Sequence, residues 1–104
     1  MTPILKDLIL SPHHTAMAVN DFEAAKDFFI DVIGMTLEGE IDHRNEPNLS
    51  KVVRLERAEI RWAMLVMGHY RIELFKYYSH QRAARETEQC DIGLTHIALS
   101  LIHI

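Results

Sequence analysis

The chain has 104 residues, 48% of them hydrophobic and 25% charged, with a net charge of -4. That composition suits one small soluble domain burying roughly 60–70% of its unfolded surface, and the scattered charges exclude the basic stripe of a nucleic-acid binder. No apolar run approaches the ~20 residues of a membrane span, and Met1 to Leu10 lacks the basic start and long apolar core of a signal peptide, so the expected location is cytoplasmic. Cys90 is the single cysteine, so no internal disulfide forms. Its polar neighbours Gln89 and Asp91 offer no base, which marks a bystander thiol rather than a nucleophile.

Residues 1–12 read as a leader, with a strand or a helical turn between Ile4 and Leu10 that Pro12 stops. His14 to Val19 is predicted as a strand. Asn20 then reads as a helix N-cap, with Glu23 completing a capping box. Phe22, Ala25, Phe29 and Val32, joined by Phe28 and Ile33, recur at helical spacing up to the stop at Gly34. Thr36 to Asp42 alternates as a strand with Leu37 and Ile41 on one face and Glu38 and Glu40 on the other. The polar stretch His43 to Lys51, which contains Pro47, is predicted to be a loop, and Val52 to Ala58 reads as either a helical turn or the approach to a strand. Glu59 to Met67 and Arg71 to Tyr77 form a hairpin around the connection Gly68-His69-Tyr70. Residues 79–93 lack an apolar period and read as a linker, with at most a helical turn between Gln81 and Glu88. His96 to Leu101 then restarts the strand pattern.

Within Arg71-Ile72-Glu73-Leu74-Phe75, alternation puts Ile72 and Leu74 on one face and Glu73 on the other. A carboxylate that looks into a protein needs a partner or a metal. Two histidines in matching segments answer: His14-Thr15-Ala16-Met17-Ala18-Val19 and His96-Ile97-Ala98-Leu99-Ser100-Leu101 both run His, any, Ala, apolar, small, apolar. Each imidazole shares its face with small residues, which leaves space in front of it, and the echo suggests an internal duplication. His13, next to His14 on a strand, is expected to face the other way as a capping or surface group. Arg61 and Arg71 are expected to be solvated, or to meet a substrate carboxylate. His43, His69 and His80 carry no predicted role. Trp62, Phe75, Tyr77 and Tyr78 read as core or sheet surface.

The order strand, helix, three strands, linker, repeated strand resembles the vicinal oxygen chelate superfamily, which includes glyoxalase I, methylmalonyl-CoA epimerase, extradiol dioxygenases and bleomycin-resistance proteins. The residues that carry the resemblance are 14–21, Phe28-Phe29, Ile33-Gly34-Met35, Arg71 to Phe75 and Gly93 to Ala98. It implies an α+β fold: a first βαβββ module over residues 13–78, the linker 79–93, and residues 94–104 as the start of a truncated second module. It further implies that His14, Glu73 and His96 ligate a divalent metal, with catalysis dependent on Glu73. Imidazole and carboxylate without thiolate suit Zn, Ni, Co, Mn or Fe(II). Such a metal fits a lyase, isomerase or epimerase that moves a proton beside the carbonyl of a small carbonyl or thioester substrate.

The competing readings are a metal-free drug-binding member of the same fold, a ring-cleaving dioxygenase, and a structural module that keeps its ligands as relics. An unpaired sheet edge and an open concave face lead to the expectation of a two-fold homodimer in which a second copy replaces the missing module. The fourth ligand and general base are expected beyond Ile104, which would leave the chain inactive alone. The ending Leu99-Ser100-Leu101-Ile102-His103-Ile104 also resembles the translation of a transposon mosaic end used in preparing sequencing libraries, so the terminus is expected to be artificial and His103 to carry no role.

Overall fold

A helix that presents Phe22, Ala25 and Phe29 to a sheet needs a start, a stop and an apolar surface to lie on, and the computed structural model, which describes residues 4–94 and 96–102, shows all three. The start is Asp21, whose Oδ1 accepts from the Ala24 amide at 3.1 Å. The expected cap, Asn20, sits one residue too early, because the helix begins only at Phe22, which is 2% exposed. Helix α1 (Phe22–Asp27) runs on through π-helical turns over Phe28–Ile33. It stops at Gly34, whose φ of 93° lies in the left-handed region that glycine enters without strain, while the Met35 amide closes back onto the Phe29 carbonyl at 2.8 Å.

The sheet has four strands: β1 (Thr15–Ala18), β2 (Thr36–Arg44), β3 (Ile60–Met67) and β4 (Tyr70–Tyr77). Their order is β1-β4-β3-β2, with β1 parallel to β4 and the other pairs antiparallel. This is the predicted βαβββ arrangement in an α+β fold. Before it, Leu5–Asp7 form a 3-10 turn, the helical alternative for the leader. None of the helices among the described residues is long and apolar enough to cross a membrane.

One face of the sheet is closed. Ala63, Leu65, Ile72 and Leu74 are at most 1% exposed and pack with Phe22, Phe29 and Met35, joined by Met17 and Val19. Burying such side chains is worth about 1.5–3 kcal/mol each for the larger ones, so this face holds most of the folding energy. The opposite face is covered at one end only, where Leu49, Ala58 and Ile60 pack with half-buried Trp62, Phe75 and Tyr77.

Leu49 belongs to α2 (Pro47–Val53), in the middle of the stretch expected to be a loop. Pro47 occupies the first turn, where a missing N–H costs nothing, so it opens this helix instead of breaking it. A second difference lies in β2. Its register slips between Leu37 and Gly39, so Leu37 pairs with Leu65 on the closed face while Ile41 pairs with Trp62 on the other. Such a bulge reverses side-chain alternation, which is why Leu37 and Ile41 do not share a face as expected.

Residues 96–102 form no strand, although the pattern of 14–19 repeats there, and residues 81–88 form no helix. Alternation becomes a strand only where a neighbour exchanges backbone hydrogen bonds, and the four-stranded sheet pairs with no part of 96–102. Ile97 packs instead against the closed-face core. Thr95, in the segment expected to open a second module, and His103 lie outside the described residues.

Candidate metal centre

Parallel pairing sets Ala16 of β1 beside Glu73 of β4, and antiparallel pairing sets Met64 of β3 on its other side. All three share the less covered face. The Glu73 side chain is 13% exposed and its two oxygens meet different partners. Trp62 donates its indole N–H to Oε2 at 2.7 Å, and His14 Nε2 lies 3.3 Å from Oε1. The His14 side chain is 35% exposed, and the small Ala16 and Ala18 beside it are exposed, so the expected open space in front of the imidazole is present.

His13 differs from expectation. Its ring meets that of His14 edge-on, centroids 5.0 Å apart, with the two Nδ1 atoms 2.7 Å apart. Strand β1 begins only at Thr15, so the pleat does not force residues 13 and 14 to opposite sides. One proton serves this contact. With the proton on His13 Nδ1, His14 accepts it and donates its own Nε2–H to Glu73 Oε1; with the proton on His14 Nδ1, Nε2 keeps the lone pair with which imidazole binds a cation.

His96 lies exposed in the irregular segment before Ile97. Among the described residues no three His, Cys, Asp or Glu side chains gather closely enough to hold a metal, so two of the three expected ligands meet and His96 does not complete the group. The arginines are engaged elsewhere. Arg71 pairs with Glu38 at 3.0 Å. On the closed face, Arg61 lies over the Phe22 ring at 4.5 Å and binds Glu23 and Glu40, the latter at 2.7 Å, so neither arginine is merely solvated or a partner of Glu73. Burial pushes the Glu40 carboxyl up, but hydrogen bonds from Arg61 and Lys26 outweigh it and hold the group below its ordinary value of 4.5.

Two neighbours define the rest of the site. Burial raises the Tyr77 phenol above its ordinary value, and the negative charge of Glu73 adds to that. Trp62 is the residue that sequence reasoning missed. The signal was partial: a part-buried indole N–H seeks an acceptor, but which one it finds depends on the hairpin register that sets Trp62 opposite Phe75, beside Glu73 on the same face. An imidazole nitrogen and a carboxylate oxygen facing each other fit two positions in the shell of a borderline divalent cation.

Comparison with known proteins agrees with this fold. The sequence profile of the Glyoxalase/Bleomycin resistance protein/Dioxygenase superfamily matches residues 11–103. The uncharacterized protein YaeR of Escherichia coli (strain K12) is 30% identical over 89 residues, 86% of this chain and 59% of that protein. A crystal structure of a glyoxalase family protein from Bacillus cereus superposes with a TM-score of 0.73 at 25% identity, over 90% of this chain and 63% of that one. The chain thus spans about six tenths of the length of either relative.

Proposed function

The chain belongs to the glyoxalase/bleomycin resistance protein/dioxygenase superfamily, and from that premise we propose that it supplies one half of a metal-dependent enzyme of the glyoxalase or epimerase type. The observation that carries the reading is the contact of His14 Nε2 with Glu73 Oε1 at 3.3 Å, on a sheet face left open by Ala16 and Ala18. Nothing in the packing of the closed face requires this pair. An exposed histidine held against a largely covered carboxylate is a donor set in search of a cation.

His14 and Glu73 are the two ligands contributed by this module; His96, which stands apart from them in this structure, would become the third once the segment after the linker folds against the site. When bound, a divalent Zn, Ni, Co, Mn or Fe ion would polarise a substrate carbonyl and stabilise negative charge on its oxygen. The chain's own residues do the rest. His13 holds the His14 ring edge-on, Ala16 and Ala18 leave room for a small substrate, and Tyr77 stays protonated beside Glu73 as a hydrogen-bond donor. The substrate class is a small hydroxycarbonyl or thioester that loses a proton beside its carbonyl, in the cytoplasm. A second copy of the chain, docked by two-fold symmetry on the open face, would complete the enclosure.

Metal content tests this. Chain purified from unsupplemented cells is expected to carry a divalent metal that Glu73→Ala and His14→Ala both remove. A protein that emerges empty, and stays empty when offered Zn, Ni, Co, Mn and Fe(II), would favour the metal-free binding cleft of the drug-resistance members. Deuterium exchange beside a carbonyl, measured for the chain extended to the length of its relatives, tests the reaction; exchange indifferent to chelation would sink it.

A further inference from the structure

We propose that Trp62 is the positioning residue of this site: it holds Oε2 of Glu73 so that Oε1 alone is presented, with His14 Nε2, to a cation. The proposal rests on the metal-site reading above and adds a residue to it.

A glutamate on a strand has three freely turning bonds, and a carboxylate offers two equivalent oxygens. Here that equivalence is broken. The indole N–H occupies Oε2 at 2.7 Å, a charge-assisted bond, and turns Oε1 toward His14. The indole is itself fixed. It lies over Gly39 of β2, where an added Cβ would stand 3.2 Å from Cζ3 and 3.3 Å from Cη2 of the ring. The Arg44 guanidinium, tied to Glu46 at 2.6 Å, sits 5.5 Å from the ring centroid, and the Leu49, Ala58 and Ile60 cluster supports the ring as well. Gly39, Trp62, Glu73 and His14 therefore form a chain of contacts from the β2 edge of the sheet to the β1 edge. The bulge between Leu37 and Gly39 brings the glycine into line with it. Partners that fix ligand orientation change metal affinity by about 10- to 100-fold when removed.

The experiment uses the full chain with Co(II) as the probe. Trp62 is the only tryptophan, so its emission reports on this site alone. Co(II) is expected to quench it saturably in the wild type and not in Glu73→Gln. Trp62→Phe, which keeps a ring but loses the N–H, is expected to weaken Co(II) at least tenfold in competition with a chromogenic chelator and to shift the visible Co(II) band at saturation. Gly39→Ala keeps the indole but crowds its ring, and is expected to do the same in smaller measure. Circular dichroism identifies a variant that fails to fold, and the remaining variant then carries the test. Wild-type affinity and band in folded Trp62→Phe or folded Gly39→Ala would overturn the positioning role while leaving the metal site standing. Failure of the wild type to bind Co(II) at all would overturn both.

Discussion

The two faces of this sheet solve opposite problems with the same four strands. On the closed face, Ile72 and Leu74 are sealed beneath Phe22 and Phe29, and the charges that approach it, Arg61, Glu40, Glu23 and Lys26, neutralise one another at its rim. On the other face, Glu73, one residue from each of those buried side chains, meets a histidine that is partly in water. Alternation along β4 is what lets one strand serve both. The difference shows that stability is concentrated on the sealed face, where a lost methyl group leaves a cavity, while the pair on the other face stays partly in water.

The sharpest way to break that contrast is Leu74→Ala. It is expected to cost about 2–5 kcal/mol of unfolding free energy, measured by urea denaturation, because the side chain is 0% exposed and its cavity cannot collapse fully. A cost below about 1 kcal/mol would mean that the closed face is not the stabilising one. Next comes the cap of the helix that closes this face. Asp21→Ala should lose about 1 kcal/mol in the same assay, since the Ala24 amide loses its acceptor, whereas Asn20→Ala should change little.

Acid should reveal the rim. Glu40 ionises more readily in the folded chain than in the unfolded one, so its contribution is present above about pH 4.5 and is lost as the pH falls through the lowered folded value. Urea midpoints of wild type and Glu40→Gln should therefore diverge near neutrality and converge in acid; parallel curves down to pH 3 would show that the Arg61 and Lys26 contacts are idle. The last change belongs to the other face. Glu73→Gln still offers an oxygen to the Trp62 indole and should cost only about 1 kcal/mol, the difference between a charged and a neutral acceptor, while removing the metal binding proposed above. A large loss of stability would make Glu73 a structural residue and erase the division between the faces.

Periodicity alone determined a good deal. The strand at Thr15–Ala18, the helix after it with its stop at Gly34, the hairpin of β3 and β4, and the opposition of Glu73 to Ile72 and Leu74 are all local consequences of spacing and of glycine's backbone freedom. The facing of His14 and Glu73 was legible as well, because Glu73 on β4 and His14 just before β1 each stand out as a polar group beside small or apolar neighbours. What local pattern could not decide was anything that depends on a partner distant in the chain. Pro47 opens a helix because Leu49 finds Ala58 and Ile60 to pack against. Leu37 and Ile41 part company because the register of β2 against β3 slips by a residue. His96 to Leu101 has the alternation of a strand but no strand beside it, and only pairing turns alternation into a sheet. Trp62 reaches Glu73 because a glycine on a third strand leaves room for its ring, a fit between side chains of three strands that spacing within any one of them does not encode.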